Sequence, residues 1–396
     1  YEWADMAAGS SGLSRYEFAA AGLPAVFVSL YPSHSRLSQI YAQSGAARYL
    51  GPYSGLDGQG WGKALYDLRD DQPARTAMAE AGQKLTAGAQ SVWQKNYRIY
   101  SRMAENFKIL EREIGAEQPP YIIAELSGNH NGDINRALAL IEEAHKAGAD
   151  AVKIQTFTAD SLTIDTDRAE FTLKGGTWDG WNLYKLYETT HTPWDWHQAL
   201  FDKARELGIT LFSSPFDKKA VAFLEELGAP AYKIASNEFL DLPLIEAAAQ
   251  TGKPLIMSTG TATKKDVEDT LAFARSCGAK EIAVLHCVSA YPAPPEEANL
   301  RTIDDIAQNF DVIPGFSDHT LGIAASVAAV ARGACVIEKH FTMDRNDGGP
   351  DSSFSLEPDE LAALCREARW AWSALGGTMY GGDSNLKAKN IFNFRI

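Results

Sequence analysis

The stretch ITLFSSPFDKKAVAFLEELGAPAYKIAS (209–236) decides the fold class of this protein. It begins with a short apolar run, ITLFSS, continues with apolar residues at helical spacing in KAVAFLEELGA, and ends with a second apolar run, AYKIAS. Gly228 follows the last helical position, where a glycine can adopt the left-handed conformation that ends a helix. Apolar strands joined by an amphipathic helix predict a strand–helix–strand unit with parallel strands.

The same unit recurs from Tyr121 onward. The strand-like runs are YIIAEL (121–126), ADAVKIQ (149–155), ITLFSS (209–214), AYKIAS (231–236), PLIMST (254–259), IAVLHC (282–287), VIPGFS (312–317) and CVIEKH (335–340). Eight such units over about 250 residues predict a closed (β/α)8 barrel, the TIM barrel of the α/β class, over residues 121–378. The alternative is a doubly wound open sheet, which usually has fewer strands and a glycine-rich phosphate loop. No G-x-G-x-x-G motif occurs after Tyr121, so the barrel is favoured.

Two segments depart from the repeating pattern. Residues 103–120 predict a hairpin of two short strands that covers the bottom of the barrel. Between Gln155 and Ile209 lie 53 residues, well above the usual spacing. This insertion carries four tryptophans, Trp178, Trp181, Trp194 and Trp196. Because loops that follow barrel strands form the catalytic face, the insertion is expected to wall a binding pocket. The alternative is a structural flap packed on its own aromatic side chains.

The two ends of the chain are organised differently from the barrel. Residues 1–102 are interpreted as one strand–helix half of an α/β sheet. The glycines Gly9 and Gly12 bracket a loop before a predicted helix, which could present backbone N–H groups to a phosphate, although an ordinary tight turn explains such a loop equally well. The chain begins without Met, so we expect a fragment, and residues 379–396 are expected to form a tail.

Composition narrows the function classes. The 396 residues carry a net charge of -14. Nucleic acid and anionic membranes both demand a basic surface, so neither is an expected partner. There is no run of about 18 apolar residues, and the first residues lack the basic start of a signal peptide. The four cysteines form no C-x-x-C pair, which argues against a disulfide framework or a zinc ribbon. We therefore expect a cytoplasmic protein.

Two lysines lie within apolar strands, Lys153 in the second and Lys233 in the fourth. A lysine in either the lumen or the helix-facing side of a barrel is costly unless it meets an anion. Hydroxyl groups follow the same and neighbouring strands, at Ser213, Ser214, Ser236, Ser258, Thr259 and Ser289. Each hydroxyl alone could cap a helix, but their grouping with two lysines predicts a site for a phosphate or carboxylate. The alternatives are a Schiff-base lysine and a buried ion pair.

Two histidines end neighbouring strands, His319 after the seventh and His340 after the eighth. Such a pair can hold a divalent ion through neutral imidazoles and leave positions open for substrate and water. An isolated histidine is more often a core residue. Glu125 closes the first strand, and Asp351 lies in the loop after the eighth. Carboxylates are therefore available for proton transfer or for binding sugar hydroxyls.

Several segments together resemble a known family. They are AELSGNHNG (124–132), VKIQTFTAD (152–160), SSPFD (213–217), YKIAS (232–236), HCVSAYPAPPEEANL (286–300), GFSDHTLG (315–322) and EKHFTMDRNDGGPDSSFSLEP (338–358). In this order they resemble the sialic acid synthase family. That resemblance implies a (β/α)8 barrel that condenses phosphoenolpyruvate with an amino-sugar aldehyde, releases phosphate and uses a divalent ion, Mn²⁺ with Mg²⁺ or Co²⁺ as alternatives.

The resemblance also implies roles for individual residues. The residues expected to hold substrates are Lys153, Gln155, Ser214, Lys233, Ser236, Ser258, Ser289, Tyr291 and Asp351, with Asp351 on the sugar. His319 and His340 would be the metal ligands, and Glu125 is the candidate base. The metal would polarise the aldehyde while C3 of phosphoenolpyruvate attacks it. Water would then add at C2 before phosphate leaves by C–O cleavage.

Two segments refine the expected substrate. AELSGNHNG (124–132) and LYETTHTPWDWH (186–197) are most similar to the branch of the family that extends 2,4-diacetamido-2,4,6-trideoxy-L-altrose. The branches that make N-acetylneuraminate or legionaminate are the alternative. A metal-free Schiff-base aldolase and a non-enzymatic sugar-binding barrel are the rivals outside the family.

The ends of the chain depart from the family pattern. Members usually form a homodimer in which an antifreeze-like domain covers the partner's site, and this lid is expected to be missing here. Residues 1–102 resemble the C-terminal half of the UDP-sugar hydrolase of the same pathway, a MurG-like α/β domain, with Gly9, Gly12 and Glu17 in the nucleotide half. The expectation is a truncated fusion whose synthase part begins near Met103.

Overall fold

The structure is a computed structural model that describes residues 6–10, 18–19, 21–29, 32–52, 58–101, 105–175 and 177–377. The chain divides into two compact units, residues 1–102 and 103–396. Among the described helices, none is long and apolar enough to cross a bilayer.

Eight parallel strands of the second unit close into a barrel in chain order. The strands are β6 (Tyr121–Glu125), β7 (Ala151–Thr156), β8 (Thr210–Pro215), β9 (Tyr232–Ile234), β10 (Leu255–Ser258), β11 (Ile282–Cys287), β12 (Ile313–Asp318) and β13 (Val336–His340). The ring closes where β13 pairs with β6, for example His340 with Glu125. Each strand lies within one of the eight apolar runs or extends one residue beyond its carboxyl end, and the prediction of a (β/α)8 barrel is confirmed.

Helices follow the strands and surround the barrel. They are α4 (Ile134–Lys146), α5 (Ala159–Leu162), α6 (Leu183–Thr190), α7 (His197–Leu207), α8 (Lys218–Glu226), α9 (Leu242–Gln250), α10 (Lys264–Ser276), α11 (Arg301–Asn309), α12 (Ala324–Ala331) and α13 (Pro358–Leu375). Side-chain caps fix where several begin. The Asp217 carboxylate accepts a hydrogen bond from the Ala220 N–H at the start of α8, and Asp241 accepts one from Leu244 at the start of α9. Such caps satisfy backbone N–H groups that the helix itself leaves unpaired.

Two apolar cores show which way each strand residue points. Val152 and Ile154 of β7 pack in the outer core, between strands and helices, whereas Ala151 packs in the inner core of the barrel. Successive strand residues face opposite sides, so Lys153 shares the inward side with Ala151. By the same alternation Lys233 faces inward, because its neighbours Tyr232 and Ile234 pack in the outer core. The sequence left inward and outward positions open, and the structure places both lysines in the lumen.

An antiparallel hairpin fills the lower end of the lumen. Its strands are β4 (Phe107–Ile109) and β5 (Arg112–Ile114). Phe107, Ile109 and Ile114 are buried in one cluster with the inward-facing residues at the start of the barrel strands. The apolar lower half of the lumen is therefore closed, and the polar upper half is left for chemistry.

One buried ion pair ties the upper ends of β12 and β13 together on the outer side of the barrel. The Lys339 ammonium lies 2.9 Å from a carboxylate oxygen of Asp318, and neither side chain is exposed. The same carboxylate accepts hydrogen bonds from the Thr320 N–H and the Ser326 hydroxyl. Lys339 also donates to the carbonyl oxygen of Thr320.

The first unit contains a three-stranded parallel sheet in the order β1–β2–β3. Its elements are β1 (Ala7–Ser10), β2 (Ala25–Ser29), α1 (Pro32–Gln43), β3 (Arg48–Pro52), α2 (Gly58–Asp70) and α3 (Gln72–Ser101). Residues 11–17, with Gly12 and Glu17, lie outside the described residues, as does the predicted tail, residues 379–396.

Candidate active site

A cavity of about 270 Å³ opens at the carboxyl ends of the barrel strands. Most residues that the sequence singled out line it. They are Glu125, Lys153, Gln155, Lys233, Ser236, Ser258, Tyr291, His319, His340 and Asp351. Ser214 and Ser289 do not line the cavity, but each bonds to a residue that does. The Lys153 ammonium donates to the Ser214 hydroxyl at 3.2 Å, and Ser289 and Ser236 are joined at 3.3 Å.

Two lysines and two glutamates form a buried cluster at the floor of this cavity. The Lys153 ammonium lies 2.8 Å from a carboxylate oxygen of Glu125 and 3.5 Å from one of Glu338. The Lys233 ammonium lies 3.7 Å from the other oxygen of Glu338. All four side chains are almost completely buried. Opposite charges thus alternate in the lumen, and we call these four residues the charge cluster.

Each charge in the cluster depends on its neighbours. Burial works against ionisation of Glu338, yet Lys153 and Lys233 hold the pKa of that carboxyl below its ordinary value. Burial also opposes the charge on Lys153, but Glu125 and Glu338 raise its pKa. For the outer members burial wins: it raises the pKa of Glu125 and lowers the pKa of Lys233. The central pair is therefore held charged, while the end members are closer to neutrality.

Hydrogen bonds orient Glu125 within the cluster. One carboxylate oxygen accepts from the Ser127 N–H at 3.0 Å and from the Gln155 side-chain amide at 2.9 Å. The other oxygen faces Lys153. A carboxylate that is fixed in this way and whose pKa is raised is suited to accepting a proton near neutral pH.

Hydroxyl groups supply further donors around the floor. The Ser317 hydroxyl donates to Glu338 at 3.0 Å. The Ser258 hydroxyl is buried, lies in a residue that lines the cavity, and has no hydrogen-bond partner within the part of the chain that the structure describes. A buried polar atom without a partner is uncommon in proteins, and this one is free to bind a ligand.

The two histidines face each other above the charge cluster. The rings of His319 and His340 have centroids 5.3 Å apart. Nδ1 of His319 donates to the carbonyl oxygen of Val288 at 2.9 Å, which leaves Nε2 as the nitrogen with a free lone pair. Burial lowers the pKa of His319 to about 4 and that of His340 well below its ordinary value. Both rings are therefore neutral at pH 7.

Aromatic rings and Asp351 surround the histidine pair. The Tyr291 ring lies 4.2 Å from that of His319 and 5.4 Å from that of Phe354, measured between centroids. A carboxylate oxygen of Asp351 lies 3.8 Å from Nδ1 of His340, beyond hydrogen-bond distance. Burial raises the pKa of Asp351 to about 6.

The chemistry of these donors fits a divalent ion with open coordination positions. Two neutral imidazoles can bind such an ion, and among the described residues the buried Nδ1 of His340 has no hydrogen-bond partner. Over the part of the chain that the structure describes, no group of three or more His, Cys, Asp or Glu side chains is arranged to hold a metal. An ion bound by the histidine pair would therefore take its other ligands from substrate and water, as in catalytic sites.

Sequence reasoning missed several residues of the cavity. Glu338 of β13 and Ser317 of β12 occupy strand positions whose side chains point into the lumen. The alternation of inward and outward positions along a strand is a sequence signal that could have identified them. Glu238 was also missed: it lies in the loop after β9, and burial raises its pKa to about 7. Trp178, from the insertion that was predicted to wall a pocket, lines the cavity. Its indole N–H donates to the carbonyl oxygen of Pro350 at 3.0 Å.

A family model matches the unit of the chain that contains the barrel. The model is described as the NeuB family, and it matches residues 140–380, which include seven of the eight barrel strands and both histidines. The chain belongs to the NeuB family.

Curated relatives match about two thirds of the chain. "Pseudaminic acid synthase" of Campylobacter jejuni is 44% identical over 272 residues, which are 69% of this chain and 79% of the relative. "N,N'-diacetyllegionaminic acid synthase" of the same species is 42% identical over 274 residues, 68% of this chain and 82% of the relative. The predicted resemblance to sialic acid synthases is confirmed.

A solved NeuB-type structure supports the fold. The crystal structure of an N-acetylneuraminic acid synthetase from Leptospira borgpetersenii in complex with citrate matches with a TM-score of 0.66 at 31% identity. The match covers 74% of this chain and 97% of that one.

We predict that Glu338→Ala lowers the free energy of unfolding by about 3 to 5 kcal/mol, because it leaves two buried lysines without their shared carboxylate. Urea unfolding followed by circular dichroism measures the change. The matched control is Glu170→Ala, which removes a carboxylate whose partner Arg168 is also exposed, and it should change stability little. Equal stability of the Glu338 variant and the native protein would contradict the assigned role.

Proposed function

We propose that the protein condenses phosphoenolpyruvate with 2,4-diacetamido-2,4,6-trideoxy-L-altrose and water to give pseudaminic acid and phosphate. The observation that carries the proposal is the joint placement of Lys153, Lys233, His319 and His340 in one cavity of a NeuB-family barrel. Two buried cations suit a small polyanion, and two neutral imidazoles beside them suit an ion that acts on a carbonyl group. The relative with 44% identity supports this choice of sugar.

The floor of the cavity binds phosphoenolpyruvate in this proposal. Lys153 and Lys233 neutralise its anionic groups, Ser236 and Ser258 donate to their oxygens, and Ser289 acts through Ser236, to which its hydroxyl donates. Ser214 acts through Lys153, because its hydroxyl accepts a hydrogen bond from the Lys153 ammonium. The unpartnered Ser258 hydroxyl then gains an acceptor, which removes the cost of leaving it unsatisfied.

The histidine pair holds a divalent ion, Mn²⁺ with Mg²⁺ or Co²⁺ as alternatives. When bound, such an ion supplies Lewis-acid polarisation of the sugar aldehyde. The chain itself keeps both imidazoles neutral by burial and fixes the His319 ring through the carbonyl oxygen of Val288. Asp351 and Tyr291 hold the sugar beside the pair.

The proposed reaction forms a carbon–carbon bond between the two substrates and breaks the carbon–oxygen bond to phosphate. C3 of phosphoenolpyruvate forms a bond to C1 of the aldehyde, and the carbonyl electron pair moves to the aldehyde oxygen, whose alkoxide finally takes the proton that Glu125 removes from water. The cationic C2 is captured by water, and Glu125 accepts the proton that the water loses, with Gln155 and Ser127 holding that carboxylate in place. The tetrahedral product collapses to the keto acid, the bond from C2 to the bridging oxygen breaks, and inorganic phosphate leaves.

One observation favours a second candidate, a Schiff-base aldolase. Burial lowers the pKa of Lys233, and its nearest carboxylate is 3.7 Å away, so a neutral amine is more accessible there than at an exposed lysine. A lysine with a lowered pKa can attack a carbonyl compound to form an imine. Borohydride reduction in the presence of pyruvate separates the two functions, because only the aldolase would form a stable covalent adduct.

We predict that the protein releases phosphate from phosphoenolpyruvate when it is given the 2,4-diacetamido-L-altrose substrate. The assay uses a panel of sugars that also contains the legionaminate precursor and N-acetylmannosamine. These are included because the two curated relatives differ by only two percentage points in identity to this chain. Phosphate release with none of these sugars would refute the proposed function.

A variant tests the anion site in the same protein. Lys233→Met should weaken phosphoenolpyruvate binding by about 2 to 4 kcal/mol, the usual cost of deleting one partner of a buried charge pair. Calorimetry measures the affinity, and Lys219→Met, on the exposed surface of α8, is the matched control. Unchanged affinity would make Lys233 a structural residue.

We predict that chelation abolishes phosphate release and that Mn²⁺ restores it. His319→Ala and His340→Ala should each lower Mn²⁺ affinity by about 10-fold or more, because each removes one of two protein ligands. Titration followed by electron paramagnetic resonance measures free Mn²⁺. His145→Ala, an exposed histidine of α4, is the control. Full activity of the double histidine variant in chelator would exclude a metal role.

We further propose that residues 1–102 are part of a MurG-like domain of a UDP-sugar hydrolase. The parallel sheet β1–β2–β3 with its helices supports an α/β nucleotide-binding origin. Nucleotide affinity in such domains is built in a cleft between two halves, and one half alone offers a shallow, wet surface. Binding of uridine nucleotides by this segment is therefore weak or absent.

We predict that a chain starting at Met103 keeps the kcat/KM of the full chain and that the full chain does not hydrolyse UDP-sugars. The physical reason is that the barrel's ring of hydrogen bonds closes within residues 121–340 and takes no strand from the first unit. The phosphate-release assay on the shortened chain measures this. Failure of the shortened chain to fold would show that the two units depend on each other.

A further inference from the structure

Three buried side chains join the end of the insertion to the outer side of the barrel. The Thr156 hydroxyl of β7 lies 2.8 Å from Nε2 of His197 and 2.6 Å from the Ser213 hydroxyl of β8. All three residues are fully buried. Nδ1 of His197 lies 3.1 Å from the carbonyl oxygen of Pro193 in the insertion. We call Thr156, His197 and Ser213 the outer bridge.

The chemistry of its ends determines where the protons of the outer bridge lie. A carbonyl oxygen can only accept, so Nδ1 of His197 carries the proton that faces Pro193. Burial lowers the pKa of His197 to about 4, so the ring is neutral at pH 7. Its Nε2 therefore accepts from the Thr156 hydroxyl, and the Thr156 oxygen accepts from Ser213 in turn. Thr156 is the central group, because it links β8 to the end of the insertion.

The outer bridge lies directly behind two residues that face the lumen. Thr156 is preceded by Gln155 on β7, and Ser213 is followed by its neighbour on β8, Ser214. Gln155 and Ser214 are paired across the two strands. Successive strand residues face opposite sides, so this pair faces the lumen while the two hydroxyls of the bridge face outward.

The lumen-facing pair holds two groups that the proposed reaction uses. The Gln155 amide donates to Glu125, the candidate base, at 2.9 Å. The Ser214 hydroxyl accepts from Lys153, which binds phosphoenolpyruvate in the proposal, at 3.2 Å. The separation of Gln155 from Ser214 therefore affects how both charged groups are aimed.

Side chains contribute to that separation because the backbone ladder weakens here. At the upper end of the ladder, Thr156 is paired with Pro215. Proline has no N–H to donate, so a hydrogen bond of the ladder is lost at this position. The bond between Thr156 and Ser213 joins the strands instead. The insertion adds a second attachment, since the Trp194 indole N–H donates to the carbonyl oxygen of Phe157 at 3.2 Å.

We infer that Thr156 and His197 are positioning residues for the synthase reaction. They hold the upper ends of β7 and β8 at the separation that orients Glu125 and Lys153. The inference rests on the function proposed above. It also gives the insertion a second role besides walling the cavity, because its last residues fasten the strand end behind the candidate base. A small displacement of a reacting group lowers the rate of a folded enzyme.

Two substitutions at one position separate positioning from packing. Thr156→Val keeps the shape of the side chain and removes the hydroxyl, whereas Thr156→Ser keeps the hydroxyl. In the full-length protein, we expect kcat for phosphate release to fall about 10-fold or more in Thr156→Val and to stay within about 2-fold of the native value in Thr156→Ser. The KM for the sugar should not change, because Asp351 and Tyr291 come from other strands. Circular dichroism at the assay temperature shows whether each variant is folded.

A native kcat in Thr156→Val, or equal losses in the two variants, would overturn the positioning role and leave the proposed function intact. A native protein that releases no phosphate with any sugar of the panel would instead refute the proposed function. Thr270→Val is the matched control: it removes a buried hydroxyl of the outer layer that donates to the carbonyl oxygen of Phe239 at 3.3 Å, and kcat should be unchanged.

A second pair of variants decides the matter if Thr156→Val does not fold. The amide of glutamine can reach the place of Nε2 and accept from Thr156, whereas the shorter amide of asparagine reaches only the place of Nδ1. His197→Gln should therefore keep a kcat about 3-fold or more above that of His197→Asn. Equal kcat values in these two variants would overturn the inference.

Discussion

The lumen of this barrel holds two lysines, and the rest of the site follows from the need to balance them. An ammonium group that is removed from water is tolerated only beside an anion. Glu338 lies between Lys153 and Lys233, and Glu125 completes the cluster on the far side of Lys153. The formal charges of the two lysines and two glutamates therefore cancel, and burial moves the outer members, Glu125 and Lys233, toward neutrality. A substrate anion bound as proposed would compete with these carboxylates for the lysines, and its binding would rearrange the charges within the floor.

The fold determines how deep in the lumen the charge cluster lies. The hairpin side chains Phe107, Ile109 and Ile114 fill the lower lumen with carbon, so that water and ligand can reach the charges from one end only. The strands place reactive groups at that end, and the insertion after β7 adds a wall above them. The charge cluster thus comes from the barrel strands, and the insertion contributes apolar and aromatic side chains to the cavity beside it.

Periodicity was sufficient for the barrel, because each strand is a continuous apolar run bounded by turn residues. The same local signals were enough to find Lys153, Lys233, His319 and His340, since a charged or titratable residue inside such a run is conspicuous. Glu338 was not singled out, although it lies in the same strand as His340. Its importance comes from lying across the lumen from two lysines on other strands, and no local pattern contains that distance. Ser214 and Ser289 were found by their positions after apolar strand runs, yet their bonds to Lys153 and Ser236 became visible only in three dimensions.

The ion pair between Lys339 and Asp318 is on the opposite side of the strands from the cavity. Each of its members is the sequence neighbour of a metal-ligand candidate, His340 or His319, and the pair joins the two strands that carry them. The separation of the imidazoles is thus set in part by side chains that no ligand can touch. A substitution at either position would therefore be felt in the lumen, even though both residues belong to the packing of the outer layer.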